Sequence, residues 1–376
     1  MAQIPFSGIR SIVERANRLE QSGDEVIHLE VGRPDFDTPE HIKAACAQAL
    51  SRGDVHYTSN FGILPLREAI AKKLKRDSQL DFDPQTEILV TSGVSEAIML
   101  CMMALLNPGD EVLIPAPALP IYAMAASMAG AVPVMVPTSA ENQYQLTRLD
   151  LETHVSPQTR MLVLTTPGNP SGAVLDQPTA CKLAQFVKTH DLLLVADEIY
   201  EKLIYDDCKH ISMASLPGMH SRTLTLNGFS KCYSMTGWRL GYVAATADLI
   251  EALVRIHQYS MVCATSFAQW GGVAALSEGQ KCVASMVQEF DRRRQLVLAE
   301  LDRIPSLSYV RPQGALYFYI NVSGVSNNAF ELAAQLLDHQ RIAVVPWDQQ
   351  HIRISYSNSF GKLKLGMARL QHYLKP

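Results

Sequence analysis

Short apolar runs alternate with longer stretches of helical periodicity between residues 87 and 245. Apolar runs bounded by turn residues are typical of strands buried on both faces, and the stretches between them are long enough for helices. The alternation predicts an α/β domain with a mostly parallel sheet, whose ligand binds at the carboxyl ends of the strands. The predicted strands are Ile88 to Thr91, Glu111 to Pro115, Val132 to Pro137, Met161 to Thr166, Leu192 to Ile199, Thr223 to Asn227 and Gly241 to Ala245.

The pattern changes after residue 272. A long helical stretch, from about Val273 to Ile304, leads to three alternating segments and a helix from about Phe360, which together predict a smaller α+β domain. The three alternating segments are Ala315 to Val322, Ile342 to Pro346 and His351 to Tyr356. We expect an amino-terminal segment (1–45) that joins the small domain, a large domain (46–272) and a small carboxy-terminal domain (273–376).

Composition indicates a large globular protein and argues against several other classes. The 376 residues are 47% hydrophobic, the formal net charge is −4, and the basic runs are short. No apolar stretch reaches the roughly 18 residues of a membrane helix. Neither nucleic acid nor membrane is an expected partner, and we expect a cytoplasmic protein.

Cysteine and histidine spacing predicts neither disulfides nor a metal site. The eleven histidines form no H-E-x-x-H arrangement. The seven cysteines include no C-x-x-C pair, which predicts reduced thiols. They are Cys46, Cys101, Cys181, Cys208, Cys232, Cys263 and Cys282. We interpret Cys232 as a small core or turn residue.

One lysine lies in an unusual turn. Residues 227–242 read NGFSKCYSMTGWRLGY, which places Lys231 among apolar, hydroxyl and glycine residues, with Arg239 eight positions later. A lysine held near neutrality by burial is a nucleophile toward carbonyls and forms Schiff bases, and arginine suits bidentate phosphate contact. The segment therefore indicates a small ligand that carries both an aldehyde and an anion.

Two further segments supply groups for such a ligand. Asp197 follows the apolar run Leu192 to Ala196, where a buried carboxylate without a partner would be costly and calls for a cation or a donor. Residues 88–97 predict a strand, a glycine turn and a helix, whose first N–H groups suit a phosphate. Those N–H groups belong to Gly93, Val94 and Ser95.

These motifs, with TTPGNPSG at 165–172 and LLLVADEIY at 192–200, resemble those of the class I/II aminotransferases, a fold-type-I family of pyridoxal-phosphate enzymes. The resemblance extends over nearly the whole chain. It implies a large, mostly parallel, seven-stranded α/β/α domain and a smaller α+β domain. It also implies pyridoxal 5'-phosphate as cofactor, and amino-group transfer from an amino acid to a 2-oxo acid.

The resemblance assigns roles around the cofactor. Lys231 forms the Schiff base with the cofactor and, once displaced by substrate, moves the proton at the alpha carbon. Asp197 keeps the ring nitrogen protonated, so that the ring withdraws electrons. Asn169 and Tyr200 donate to the phenolic oxygen, and Arg239 binds the phosphate with the N–H groups of residues 93–95.

Two positions depart from the family pattern. Gly228 stands three residues before the lysine, where many relatives have serine, so Ser230 or Ser95 is the alternative phosphate hydroxyl. Leu119 stands where an aromatic ring usually stacks on the pyridine. An aliphatic side chain covers the ring face but lacks the stacking energy of about 0.5–1.5 kcal/mol. Whether Leu119 alters cofactor affinity or the choice of reaction is left open.

Substrate and subunit contacts are implied in the same way. Arg353, in the alternating segment HIRISYS, resembles the arginine that binds the substrate alpha-carboxylate, with Gly32 and Asn169 beside it. Tyr57 resembles the tyrosine that reaches the neighbouring subunit's phosphate site. The active unit is therefore expected to be a homodimer.

The preferred substrate follows from the charges that are missing. An acidic substrate needs a second cation for its distal carboxylate, and the nearest candidate is Arg33, for which a surface role is favoured. The stretch from Ile4 to Ile9, which resembles a segment that covers the site, is mainly apolar, as are Leu119 and Ile121. We expect a neutral, hydrophobic or small amino donor.

Two other functions remain open at this point. The same residues also support a lyase on this fold, such as a carbon–sulfur lyase or an aminocyclopropane carboxylate synthase, and this alternative stays open because Leu119 and Gly228 depart from the common pattern. A non-enzymatic sensing domain would carry a DNA-binding helix-turn-helix. We do not expect that module, because the residues before Leu29 are too few for one.

Overall fold

The computed structural model describes residues 8–278 and 280–374. The chain divides into two compact units. The domain boundaries expected from the sequence, at 45/46 and 272/273, stay a prediction. The larger unit comprises residues 37–167 and 174–284, and the smaller unit comprises residues 1–36, 168–173 and 285–376. The short segment 168–173 thus belongs to the smaller unit although the residues on either side of it belong to the larger one.

Strands and helices alternate through most of the chain. The described strands are β1 (Ile27–His28), β2 (Ile88–Thr91), β3 (Glu111–Ala116), β4 (Val132–Pro137), β5 (Thr159–Thr165), β6 (Leu193–Asp197), β7 (Thr223–Gly228), β8 (Gly241–Ala244), β9 (Ser308–Tyr309), β10 (Tyr317–Asn321), β11 (Ile342–Ala343), β12 (Val345–Pro346) and β13 (His351–Ser355). The described α-helices are α1 (Gly8–Gln21), α2 (Glu40–Arg52), α3 (Leu64–Ser78), α4 (Val94–Leu105), α5 (Ile121–Met128), α6 (Arg148–Glu152), α7 (Gln177–Thr189), α8 (Ala247–Ser260), α9 (Ser266–Glu278), α10 (Gln280–Leu301), α11 (Ala329–Gln340) and α12 (Phe360–Leu374).

The larger unit is built on one seven-stranded sheet with the order β2-β8-β7-β6-β5-β3-β4. All neighbouring strands are parallel except β8, which runs antiparallel to both β2 and β7. Strands β2, β7 and β8 are buried along their whole length; β2 and β8 appear in the sequence as nearly continuous apolar runs, whereas β7 alternates threonine with leucine. The predicted α/β class with a mostly parallel sheet is confirmed.

The sheet register brings several predicted site segments to one edge. Gly241, the first residue of β8, pairs with Thr91 at the end of β2 and with Gly228 at the end of β7. Asp197, the last residue of β6, pairs with Thr165 at the end of β5. The segments that follow these strands carry Lys231, Arg239 and the start of α4, so they leave the sheet along the same edge.

Helix α4 packs its apolar side chains into the core of the larger unit. Its N-cap is Gly93, whose φ of +78° lies in the left-handed region that favours glycine. Ala97, Cys101 and Met102 belong to a buried cluster together with residues of α5, α8 and the central strands. This packing fixes the position of the helix whose first turn was predicted to bind phosphate.

The smaller unit contains two sheets of its own. Strands β12, β13, β10 and β9 form an antiparallel sheet in that order, and β1 pairs with β11 in parallel. The predicted strand from Ile342 to Pro346 is two strands, because β11 pairs with β1 while β12 pairs with β13. The predicted helix from Val273 to Ile304 corresponds to α9 and α10 on either side of residue 279, which lies outside the described residues, and α9 starts earlier than predicted, at Ser266.

No helix among the described residues is long and apolar enough to cross a membrane.

Candidate active site

The Asp197 carboxylate is buried at the end of β6. The Tyr122 hydroxyl donates to Oδ2 at 2.7 Å, and the Ile199 backbone N–H donates to Oδ1 at 3.1 Å. Burial raises the pKa of Asp197 to about 6, although these two hydrogen bonds and the charge of Lys231 act to lower it. A carboxylate in this state gains from a cationic N–H donor, so the site fits the protonated ring nitrogen of pyridoxal phosphate.

Lys231 lies in the turn after β7, beside the turn that follows β6. Its Nζ is 6.0 Å from the centroid of the Tyr200 ring, and Tyr200 is buried. Lys231 is also close enough to Asp197 for its charge to act on that carboxylate. The structure therefore brings together the three residues predicted as catalytic, and their roles stay predictions.

The predicted phosphate site lies where α4 begins. A Cβ added to Gly93 would lie 2.5 Å from Nη2 of Arg239, so glycine lets the guanidinium approach the turn. A Cβ on Gly241 would lie 2.8 Å from the Val94 nitrogen, so β8 also passes close to this turn. The first N–H groups of a helix have no partner within it, and together with an exposed arginine they suit an anion.

Gly228 has a steric explanation. A Cβ at this position would lie 2.9 Å from the Leu240 carbonyl oxygen and 3.4 Å from Cδ1 of Ile199. The backbone thus leaves little room for the serine that many relatives have here. Ser230 is half-buried and Ser95 is exposed, and both stay candidates for the phosphate hydroxyl.

Leu119 is half-buried and lies two residues before α5. It packs against the core cluster of the larger unit that contains Tyr122, the residue that bonds Asp197. Its predicted contact with the cofactor ring stays a prediction.

Arg353 is the centre of a second group of predicted residues, in the smaller unit. The side chain is buried on β13, and its Nη1 donates to Asn169 Oδ1 at 3.0 Å while Nη2 donates to the Glu30 carbonyl oxygen at 2.6 Å. Both of these acceptors are neutral oxygens. The guanidinium carbon is 4.4 Å from the centroid of the Tyr317 ring and 5.3 Å from that of Trp347. The arrangement suits a carboxylate ligand with an apolar neighbour.

Gly32 allows the Tyr317 ring to lie directly against the backbone. A Cβ on Gly32 would overlap the Tyr317 hydroxyl, so no other residue fits here without moving the ring. The packing of Tyr317 is sufficient to explain this glycine, and its predicted contact with the substrate carboxylate stays a prediction. Arg33, the next residue, is exposed. The apolar stretch from Ile4 to Ile9 has no described side chain.

Tyr57 projects from the larger unit and is 84% exposed. Its loop is joined to a second loop, since Nδ2 of Asn60 donates to the Val262 carbonyl at 2.7 Å. That second loop follows α8, on which Tyr259 is 87% exposed. Exposed aromatic side chains concentrated in this way are typical of a surface that meets another protein.

Sequence reasoning missed Tyr122 as a site residue. Its hydroxyl receives a hydrogen bond from Thr165 Oγ1 at 2.8 Å and passes one to Asp197, so it orients the carboxylate. Its position three residues after Leu119, at the start of a predicted helix, was the available signal. That signal does not by itself distinguish it from a core tyrosine.

A buried ionic network behind the site was also missed. One ligand atom each from Glu198, Glu201 and His210 lies within 4.8 Å of the others, as in a metal site. However, the Lys73 ammonium donates to Glu201 at 2.6 Å. Burial lowers the pKa of His210, but the charges of Glu198 and Glu201 outweigh burial and raise it overall. The Lys73 ammonium therefore supplies positive charge to this cluster, and the raised pKa of His210 favours its protonated form beside Glu198.

Comparison with known proteins gives one consistent result. A model of the family "Aminotransferase class I and II" matches residues 24–370. The chain is 40% identical to aromatic-amino-acid aminotransferase 2 of Thermococcus litoralis, over 98% of this chain and 96% of the relative. It is 42% identical to aspartate aminotransferase of Pyrococcus abyssi, over 93% and 92% of the two chains. The structure of Thermus thermophilus aspartate aminotransferase with maleate has a TM-score of 0.95 at 34% identity, and the match covers 99% of this chain and 98% of that one.

Proposed function

Since the chain belongs to the class I and II aminotransferases, a pyridoxal-phosphate-dependent family, we propose that it transfers the amino group of a neutral, hydrophobic or small L-amino acid to a 2-oxo acid. The predicted family, enzyme class and cofactor are confirmed. The substrate is the part that we propose. One observation carries it: the buried Arg353 guanidinium lies beside the aromatic rings of Tyr317 and Trp347.

The residues of this chain divide the chemistry between them. When bound, pyridoxal phosphate supplies an electron-withdrawing ring that acidifies the alpha C–H bond of an amino acid joined to it. Asp197 would hold a proton at the ring nitrogen, because its buried carboxylate gains from a cationic donor. Lys231 would hold the cofactor through its aldehyde, and its amine, once free, would accept the alpha proton. Arg353 holds the alpha-carboxylate.

Aromatic rings beside the carboxylate anchor favour an apolar substrate side chain over a charged one. Arg33, the candidate second cation, is exposed, and an exposed arginine gives weak and solvent-screened recognition of a distal carboxylate. Among the relatives, the aminotransferase of Thermococcus litoralis is named for aromatic amino acids and that of Pyrococcus abyssi for aspartate. The two names define the alternatives that an experiment must separate.

The test is a comparison of kcat/KM for alanine, leucine, methionine, phenylalanine and aspartate with one common 2-oxo acid. We expect kcat/KM for leucine, methionine or phenylalanine to exceed kcat/KM for aspartate by about tenfold or more. This is the range of discrimination that burial of an apolar substrate side chain provides. A preference for aspartate would contradict the proposal. In that case Arg33→Ala would show whether Arg33 is the distal cation. Release of ammonia in place of amino-group transfer would indicate a lyase.

We propose a homodimer on the evidence of the Tyr57 surface. Tyr57 and Tyr259 are the most exposed large hydrophobic side chains described, and they lie on segments joined through Asn60 and Val262. Burying them against a second copy would remove apolar area from water and would place Tyr57 at a neighbouring subunit. Sedimentation of the wild-type chain and of Tyr57→Ala tests this, and a monomeric wild-type chain would contradict it.

We propose a cytoplasmic location on the evidence of the cysteines. All seven are free thiols, and Cys101 and Cys232 are buried. Burial raises the pKa of the Cys232 thiol to about 12, so that thiol stays protonated and unreactive. Free thiols persist in reducing compartments. Cell fractionation tests the location directly.

A further inference from the structure

The first turn of α4 contains a carboxylate as well as the N–H groups of the proposed phosphate site. Glu96, the third residue of the helix, accepts the Ser92 backbone N–H at 2.5 Å through Oε2. Its Oε1 lies 2.6 Å from Nδ1 of His257, on α8. A carboxylate only accepts hydrogen bonds, so Nδ1 carries the proton. Both oxygens of Glu96 are thus held by donors other than the N–H groups of Val94 and Ser95.

This arrangement is close to the usual one for a glutamate at this position, but the N–H group that Glu96 bonds belongs to Ser92, one residue before the N-cap Gly93. A glutamate in the third position of a helix commonly turns back to bond an N–H group at the start of its own helix. The same N–H groups attract any nearby anion. A Glu96 carboxylate released from its present donors would therefore compete with a phosphate for the first turn of α4 and repel it.

His257 is retained at an energetic cost. Its side chain is fully buried, and its Nε2 has no hydrogen-bond partner among the described residues. A buried nitrogen without a partner is unfavourable, and a leucine would fill the same apolar surroundings without that cost. The benefit of the histidine must therefore come from the Nδ1–H bond to Glu96.

We propose that His257 is a positioning residue for the cofactor phosphate. By holding Glu96 on the Ser92 N–H, it keeps the N–H groups of Val94 and Ser95 available to the phosphate. The inference rests on the proposed function, because it takes the start of α4 as the phosphate site. His257 acts through Glu96 and does not contact the cofactor itself.

The test compares two ligands that differ only in the phosphate. The full-length chain, freed of cofactor, is titrated with pyridoxal phosphate and with pyridoxal, and binding is followed by fluorescence. The variants are His257→Leu, which removes the donor; His257→Asn, which keeps an amide donor near the Nδ1 position; and the double variant Glu96→Gln/His257→Leu. Glu251→Gln is the matched control, since Glu251 lies on the same helix in an exposed pair with Arg255.

The expected result is specific to the phosphate. His257→Leu weakens the binding of pyridoxal phosphate by about tenfold and the binding of pyridoxal by less than about twofold. The magnitude is that of one charge-assisted hydrogen bond, the one from His257 to Glu96. His257→Asn and the control stay close to wild type. The double variant recovers most of the loss, because no carboxylate is left to compete. If His257 had only a packing role, the binding of both ligands would weaken equally and the double variant would not recover affinity for pyridoxal phosphate. That outcome would overturn the inference.

One more variant separates this inference from the phosphate assignment. If the phosphate binds beside Gly93, Arg239→Ala should weaken the binding of pyridoxal phosphate much more than the binding of pyridoxal. If Arg239→Ala shows this selectivity and His257→Leu does not, the positioning role of His257 is wrong and the assignment stands. If neither variant shows selectivity, the phosphate binds elsewhere and both are wrong.

Discussion

Replacing Asp197 by asparagine should stabilise the cofactor-free protein at pH 8 and leave its stability unchanged at pH 4.5. In the folded chain, burial raises the pKa of this carboxyl from 3.8 to about 6. Between these values the unfolded chain has released the proton and the folded chain still holds it. The unfolded chain then binds fewer protons, so stability falls as pH rises from about 4 to about 6 and is constant above.

The magnitude follows from the size of the shift. About two pKa units at 1.36 kcal/mol each cost the folded state about 3 kcal/mol at pH 8, and about 1 kcal/mol at pH 4.5. Asparagine carries no charge at either pH and keeps an oxygen for the Ile199 N–H. It replaces the carboxyl oxygen that accepts from the Tyr122 hydroxyl by an amide group, a cost of about 1 kcal/mol relative to the neutral carboxyl at both pH values. The net gain is therefore about 2 kcal/mol at pH 8 and about zero at pH 4.5.

Urea unfolding of the cofactor-free wild type and of Asp197→Asn at both pH values measures this difference. Asp191→Asn is a suitable control, because the Asp191 side chain is 91% exposed. An equal difference between wild type and variant at the two pH values would refute the reasoning, and so would a less stable variant at pH 8. With cofactor present the variant should lose at least about 100-fold in activity, because the ring nitrogen loses its anionic partner.

Three further outcomes are expected. Borohydride treatment of the wild-type holoenzyme should attach the cofactor to Lys231, and attachment to another lysine would contradict that assignment. Mixing inactive Tyr57→Ala chains with inactive Lys231→Ala chains should restore some activity, and no recovery after verified subunit exchange would argue against a shared site. Lys73→Met should destabilise the chain by about 3–5 kcal/mol in urea, because it leaves Glu201 buried without its cation. The double variant Lys73→Met/Glu201→Gln should recover most of that loss. Equal stability of the single and the double variant would contradict this reasoning.

The strands of the large sheet were predictable because of where they lie. Strands β2, β7 and β8 are buried along their whole length and rich in apolar and β-branched residues, and they were predicted within a residue or so of their observed ends. The polar residues that follow such strands were recognisable for the same reason. Asp197 stood out because a carboxylate directly after five apolar residues needs a partner.

The smaller unit was harder to predict because its short strands depend on their partners. Strand β1 has two residues, and so have β11 and β12. Nothing in the sequence from Ile342 to Pro346 indicates that the chain changes sheet after Ala343. That change is decided by the hydrogen bonds of β11 to β1 and of β12 to β13, which join parts of the chain far apart in sequence.

The sequence by itself determined the α/β succession of the large sheet and the family, and it predicted Lys231 as the reactive lysine. Only the tertiary structure decided how the site is held, because the contacts involved join distant residues. Arg353 bonds Asn169 across 184 positions, Tyr122 bonds Asp197 across 75, and His257 bonds Glu96 across 161. No local propensity specifies such pairs. They exist because packing buries one polar group beside another, and a buried polar group is stable only when it finds a partner.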